Sequence, residues 1–166
     1  LGLRTDDDWN LQAMYNEPLR IRSKTNNDLW LSMHKIHYQQ SEPDAMNGIR
    51  MKYAELFLNH EYQGVYCVGE KIDRKQLRLK NHNGSISGEL YKGAGWDGAT
   101  TFHSLPPYSN NSRVWGGFEY KHPDEETDWA NLYDLVDFVI NAPDHQFYEE
   151  YDDRFEIDNL VDYFIF

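Results

Sequence analysis

The chain has 166 residues, of which 40% are hydrophobic and 15% aromatic, and it carries a formal net charge of −12. This length suits one domain or part of a larger one, and the apolar content is enough for a core. The acidic balance argues against general binding to nucleic acid or anionic membranes, because phosphate contacts need clustered Lys and Arg. Cys67 is the only cysteine, so neither an intrachain disulfide nor a cysteine-based metal cluster is expected. No apolar run is long enough to span a membrane.

The first predicted elements are helical. Residues 11–15 follow Trp9 with the spacing of a short helical turn. A long helix is then predicted to begin at Asn16-Glu17-Pro18, because Pro favours the first helical position, and to extend to about Ile36. Within this helix, Glu17 and Arg20 would lie one turn apart and could form an ion pair.

Strand patterns fill the middle of the chain. Four strands are predicted, at residues 49–58, 64–69, 88–92 and 114–121. Residues 59–63 form the turn between the first two. Residues 93–111 are rich in Gly, Pro, Ser and Asn and make the longest loop candidate, and loops of this size are usually functional or disordered. Glu119 and Lys121 share a face of the last strand and are expected to form a local ion pair.

The last part of the chain is predicted to be helical. Asp128 is a good cap for a clear amphipathic helix. A short helix is predicted at residues 144–151, and a final helix carries Leu160, Val161 and Phe164. The order of one helix, several antiparallel strands and then helices indicates an α+β fold.

Four motifs occur in a fixed order along the chain. They are Trp9-Asn10-Leu11 leading to Asn16-Glu17-Pro18-Leu19-Arg20, the hairpin that closes with Glu70-Lys71-Ile72-Asp73, Gly88-Glu89-Leu90-Tyr91-Lys92, and Phe118-Glu119-Tyr120-Lys121. Their wording, order and spacing resemble the spore coat protein H (CotH) kinase family, whose members are atypical protein kinases. The resemblance spans nearly the whole chain.

The resemblance implies a protein-kinase-like α+β domain that is truncated at both ends. Residues 1–73 would be small-lobe-like, with the helix from Pro18 as the small-lobe helix. Residues 74–166 would form a connector and the start of a helical lobe. A lysine on an early strand upstream of Trp9 would be missing. No catalytic or metal-binding residue is expected within this chain, because the family's acidic residues are expected downstream of Phe166.

Five residues are candidates for nucleotide binding under this resemblance. Glu70, Lys71 and Asp73 would belong to the hinge region at residues 70–73, where adenine would sit. Strand alternation allows at most one of Glu70 and Lys71 to face a pocket. Lys92 could reach a phosphate, and Arg20 is a candidate because the family motif has Arg there. The competing interpretations are a solvated strand end and ordinary surface charges.

The implied function is ATP-dependent transfer of phosphate to Ser or Thr of a protein substrate, with Mg²⁺ or Mn²⁺. The family's members occur on spore coats, at cell surfaces or as secreted proteins, so an extracytoplasmic setting is implied. This chain alone is expected to be inactive. The alternatives are a non-catalytic binding module on the same fold, which would use the long loop at residues 93–111, and a structural coat or surface component.

Overall fold

The structure is a computed structural model that describes residues 2–6 and 8–166. The described residues combine α-helices with two three-stranded antiparallel sheets, so the α+β prediction is confirmed. The chain separates into two compact units. The first unit joins the chain up to Arg78 with Asp158–Phe166, and the second unit is Leu79–Ile157. The division into a small-lobe-like part and a helical part stays a prediction.

The sheet of the first unit is built around a long β-hairpin. Its strands are β1 (Asn10–Gln12), β2 (Met51–Leu58) and β3 (Glu61–Gly69), in the order β1-β3-β2. All the pairs are antiparallel. The predicted helical turn at residues 11–15 is therefore wrong at its start, where β1 pairs with β3. Three residues are too few to show a period, and only the partner strand decides their conformation.

The hairpin turn is tighter than the sequence predicts. Asn59 and His60 both adopt positive φ angles, of 50° and 69°. Two such residues make the type I′ turn whose twist matches that of the flanking strands. The return strand consequently begins at Glu61 rather than Gly64. Gly64, with a φ of 108°, pairs with Leu56 at the point where the register between β2 and β3 shifts. This shift is a β-bulge, and it interrupts the polar pattern from which a longer turn was predicted.

The helix of the first unit starts later than predicted. Helix α1 is Arg22–Met33, because Arg20 has a φ of 54° and interrupts any helix from Pro18. Glu17 does not pair with Arg20. Its carboxylate instead accepts hydrogen bonds from the backbone N–H of Arg22 at 2.8 Å and of Ser23 at 3.3 Å, which satisfies donors at the start of α1.

Two further helices complete the first unit. Helix α2 (Arg74–Leu77) directly follows the charged tetrad. The chain's final helix runs over Ile157–Ile165 and belongs to this unit from Asp158 onward. His34 Nδ1 lies 2.9 Å from Asp162 Oδ2, and this contact ties the final helix to the end of α1.

The sheet of the second unit is smaller. Strands β4 (Leu90–Gly93), β5 (Val114–Trp115) and β6 (Phe118–His122) lie in the order β4-β6-β5. The single strand predicted at residues 114–121 is therefore a hairpin. Gly116 and Gly117 form its turn with φ angles of 54° and 90°. A side chain at Gly116 would place its Cβ 2.5 Å from that of Ala99, so the turn needs glycine for space as well as for conformation.

Helices follow this sheet as predicted. Helix α3 is Ala130–Asn141 and α4 is Asp144–Arg154, and the final helix Ile157–Ile165 is α5. Asp128 accepts a hydrogen bond from the backbone N–H of Ala130 at 3.0 Å at the start of α3. The loop at residues 93–111 contains a 3₁₀-helix at Gly98–Thr101. The predicted ion pair between Lys121 and Glu119 is confirmed, with 2.9 Å between Nζ and Oε1.

An aromatic core fills the second unit. Trp129 has no exposed surface and contacts the rings of Tyr91, Trp115 and Tyr120 at centroid distances of 5.2 to 5.8 Å. Its indole N–H donates to the carbonyl of Ser112 at 2.8 Å. The core thus joins the sheet, the long loop and α3.

Candidate functional site

A cleft of about 660 Å³ opens within the first unit, a size within the range of small-molecule sites. It contains four cationic side chains and two carboxylates, although the chain as a whole carries a net charge of −12. Each of these cations is paired with a carboxylate: Arg4 and Lys75 with Asp6, Arg50 with Glu70, and Arg78 with Asp44. The residues that line the cleft are Arg4, Thr5, Gln39, Pro43, Asp44, Met46, Arg50, Glu70, Lys75, Gln76 and Arg78.

Glu70 is the buried centre of the cleft's charge network, with 1% of its surface exposed. Its carboxylate accepts hydrogen bonds from Arg50 Nε at 2.9 Å, from the backbone N–H of Arg50 at 3.0 Å and from that of Arg4 at 2.8 Å. Burial by itself raises the pKa of Glu70, but these donors outweigh it and hold the pKa below its ordinary value. Glu70 is therefore an ionised brace that fixes Arg50 at the cleft wall.

Asp73 has two structural tasks at the end of the charged tetrad. It caps α2 by accepting the backbone N–H of Gln76 at 2.8 Å, and it accepts Arg4 Nη1 at 3.0 Å and Nη2 at 3.1 Å. Burial raises the pKa of Asp73, but the hydrogen bonds from Arg4 and Gln76 hold it below its ordinary value overall. Arg4 also donates to the carbonyl of Lys71 at 3.0 Å. Arg4 thus connects the start of the chain to Glu70, Lys71 and Asp73 of the tetrad.

Lys71 is exposed and does not line the cleft, whereas its neighbour Glu70 does. Its ammonium group forms an ion pair with Asp8, and this hydrogen bond raises the pKa of Lys71. A role for Lys71 in nucleotide binding stays a prediction.

The other two predicted binding residues lie outside the cleft lining. Arg20 donates to the carbonyl of Ala13 at 3.0 Å and to that of Val65 at 2.6 Å, so its guanidinium holds two backbone segments of the first unit together. Lys92 is exposed on β4 of the second unit, opposite Glu119. The structure therefore brings together Glu70 and Asp73, and leaves Arg20 and Lys92 elsewhere.

Comparison with known proteins agrees with the motifs. A family model described as CotH kinase protein matches residues 1–166, the whole chain. This chain belongs to the CotH kinase family. No curated protein and no solved structure gave a significant match. A protein-kinase-like fold of this CotH family member is implied by the family alone and stays a prediction.

Of the residues that line this cleft in the CotH family member, sequence reasoning identified Glu70 alone, and Arg4, Arg50 and Gln76 are among those that it missed. Each lies outside the motifs that carry the resemblance, and each reaches the cleft only through the fold. Arg50 directly precedes β2, where a charged residue reads as an ordinary strand end. Gln76 follows the tetrad by three residues, and the Asp-x-x-Gln spacing of a capped helix is the one signal that could have located it.

Family membership implies ATP and a divalent metal. Among the residues that the structure describes, no group of three or more His, Cys, Asp or Glu side chains is arranged to hold a metal ion. The described residues therefore do not fit a metal site. In the same part of the chain, no helix is both long and apolar enough to cross a membrane.

Proposed function

We propose that this chain is the nucleotide-facing part of a CotH-like kinase that transfers the γ-phosphoryl group of ATP to a Ser or Thr hydroxyl of a protein. One observation carries the proposal. In a chain that the family matches over its whole length, a cleft lined by arginine and lysine side chains lies beside residues 70–73, the segment that the resemblance assigns to the hinge. The protein substrate and an extracytoplasmic location, on a spore coat or cell surface, belong to the same proposal.

The residues of the cleft would act by position and charge. Bound ATP supplies the phosphoryl group, and catalysis of its transfer depends mainly on alignment and on stabilising negative charge. Arg50, Lys75 and Arg78 line the cleft, and the phosphates would share them with the carboxylates that already pair with them. Glu70 and Asp73 would act indirectly, because Glu70 holds Arg50 in place and Asp73 holds Arg4 in place.

The catalytic and metal-binding groups are proposed to lie outside this chain, in the sequence that the family carries downstream of Phe166. An Asp followed by an Asn or Asp there would support catalysis. On this proposal the chain binds nucleotide but does not transfer phosphate by itself.

The test of transfer uses the full-length protein that carries this chain. It is incubated with ATP labelled at the γ-phosphate and with Mg²⁺ or Mn²⁺, and label is followed on the protein itself and on a Ser-rich test protein. Transfer that is lost when a downstream Asp is replaced supports the proposal. Absence of transfer, together with no thermal shift on adding ATP and metal, contradicts it.

The test of the cleft uses this 166-residue chain. Arg78 pairs with Asp44 at 3.1 Å and both side chains are largely exposed, so Arg78→Met should leave folding intact. It should weaken ATP binding about tenfold, because a charge-assisted contact is lost. Arg22→Met is the matched control, since Arg22 is an exposed arginine of the same unit that does not line the cleft. Equal losses in both variants would place ATP elsewhere.

A second candidate function is a binding module without kinase activity. It is favoured by Trp96, which is 97% exposed at a position where the backbone is held in place. Ala94 and Gly95 lie at the start of the loop, just before Trp96, and their backbone N–H groups both donate to the carbonyl of Gly117 at 2.9 Å. Exposed tryptophans on fixed backbones are frequent anchors of interfaces. Retention of the full-length protein on spore or cell surfaces, lost in Trp96→Ser while ATP has no effect, would favour this function.

A further inference from the structure

The dipeptide Asn-Gly occurs twice in the chain, at Asn47-Gly48 and at Asn83-Gly84. An asparagine that precedes glycine is chemically labile, because the glycine nitrogen can attack the side-chain amide carbon and glycine has no side chain to obstruct the attack. The reaction needs an asparagine side chain and a backbone that are both free to move together. The local structure around each dipeptide therefore decides whether it reacts.

The second dipeptide lies on an open turn. Asn83 and Gly84 are both exposed, and the chain bends at residues 83–85. Among the residues that the structure describes, no hydrogen bond or ion pair holds the side chain of Asn83. Gly84 has a φ of 94°, and a Cβ built on it would meet no atom within 4 Å. An unheld side chain beside an open glycine has the freedom that the attack requires.

The first dipeptide is held in place by its neighbours. Gly48 is buried, and a Cβ built on it would lie 2.8 Å from side-chain atoms of both Trp30 and Leu31. Asn47 Nδ2 contacts Nε2 of His34, and the backbone carbonyl of Asn47 accepts the indole N–H of Trp30 at 3.3 Å. Attack on the Asn47 side chain therefore requires a local opening of the structure, which these contacts oppose.

We propose that Asn83 is a site of spontaneous deamidation in the folded chain, whereas Asn47 is protected by the fold. The backbone nitrogen of Gly84 loses its proton and forms a bond to Cγ of Asn83. The bond between Cγ and Nδ2 then breaks, and Nδ2 leaves as ammonia. The product is a succinimide ring, and water opens it at either of its carbonyl carbons to give aspartate or isoaspartate. Overall, a water molecule is consumed and an ammonia molecule is released.

The modification changes both the charge and the backbone of this segment. It replaces a neutral amide with a carboxylate next to His82, whose Nε2 already lies 3.3 Å from Oε2 of Glu126. Isoaspartate also inserts a methylene group into the main chain upstream of β4. Aged protein should therefore separate from fresh protein by ion exchange, since each conversion adds a negative charge.

The first test follows both dipeptides in the unaltered 166-residue chain. The protein is incubated at mildly alkaline pH and digested, and the two peptides are quantified by mass spectrometry, with isoaspartate labelled by isoaspartyl methyltransferase. We expect Asn83 to deamidate at least about tenfold faster than Asn47, because Asn47 reacts only while its surroundings are open. In urea that unfolds the chain, the two rates should become about equal.

The second test assigns the reaction to the glycine that follows Asn83. Gly84→Ala places a methyl group beside the attacking nitrogen and should slow deamidation of Asn83 several-fold. Gly64→Ala is the matched control, because Gly64 also has a positive φ and no atom within 4 Å of a built Cβ. It introduces the same backbone strain elsewhere and should leave the rate at Asn83 unchanged. Thermal unfolding identifies a variant that fails to fold.

Three outcomes overturn the inference. Equal rates at Asn83 and Asn47 in the folded chain show that the fold does not distinguish the two dipeptides. An Asn83 that stays intact in the folded chain but reacts in urea shows that its turn is held against the attack. A ratio of rates that is the same with and without urea shows that the neighbouring sequence, and not the fold, sets the difference.

Discussion

The two units of this chain are stabilised by different interiors. The second unit buries aromatic rings around Trp129, together with Leu132 and Val136. The first unit has a small apolar cluster of Met14, Met51 and Cys67. It also holds four of the five buried polar or charged side chains among the described residues, which are Glu17, His34, Glu70 and Gln76.

The difference teaches where function is to be sought. Burying a carboxylate or an amide is unfavourable unless each is paired, whereas a buried ring needs only contact. A unit that keeps charged groups inside must hold them with many specific hydrogen bonds, as Glu70 does. Those bonds fix the positions of Arg4 and Arg50, and the cleft lies there.

The largest expected effect tests the aromatic interior. Trp129→Ala should lower the free energy of unfolding by about 3–5 kcal/mol, because a fully buried ring is lost and a cavity remains. Trp96→Ala, at a 97% exposed position, should change it by less than about 0.5 kcal/mol. Urea titration gives the size of the effect, and hydrogen exchange of peptides from α3 and from β2–β3 shows which unit opens first. Earlier opening of β2–β3 would contradict the comparison.

A smaller effect is expected when the charged interior is altered. Glu70→Gln keeps the side-chain volume but leaves Arg50 without its anionic partner, and should cost about 2 kcal/mol. Arg50 is partly exposed, so water compensates it in part. Lys71→Met at the neighbouring exposed position is the control and should leave the urea midpoint unchanged. Similar losses of stability in Glu70→Gln and Lys71→Met would show that burial of the Glu70–Arg50 pair does not matter.

The smallest effect concerns acid. The pKa values of Glu70 and Asp73 are lowered in the folded chain, so their stabilising contribution is present above the ordinary carboxylate pKa of about 4. It is lost as the pH falls through the lowered values. The unfolding midpoint should therefore stay constant above about pH 5 and fall below it, and should fall less in Glu70→Gln. If the unfolding midpoint of Glu70→Gln depends on pH as that of the unaltered chain does, Glu70 is excluded as a source of the loss of stability in acid.

Several parts of the fold were predictable because they depend on local patterns. The apolar face of α3 repeats with helical spacing, the alternation in β2 marks a strand, and Glu119 and Lys121 pair because they share a strand face. The errors arose where one residue's backbone conformation decides an element. The positive φ of Arg20 delayed α1, and Gly116-Gly117 divided one predicted strand into a hairpin.

The candidate site was predictable only in part. The tetrad that contains Glu70 and Asp73 was identified from its wording, but its partners Arg4 and Arg50 lie 66 and 20 residues away in the sequence. No local pattern connects positions so distant. The sequence likewise gave no sign that Gln76 would be buried with an unpaired oxygen.

The sequence by itself determined the α+β class and membership of the CotH kinase family, because periodicity and motif order are written along the chain. Only the tertiary structure decided which charges meet. Ion pairs act over a few ångströms of space, and the fold alone sets the distances between Arg4, Arg50, Glu70 and Asp73. A strongly acidic chain can therefore contain a cleft lined by four cationic side chains, which its composition does not indicate.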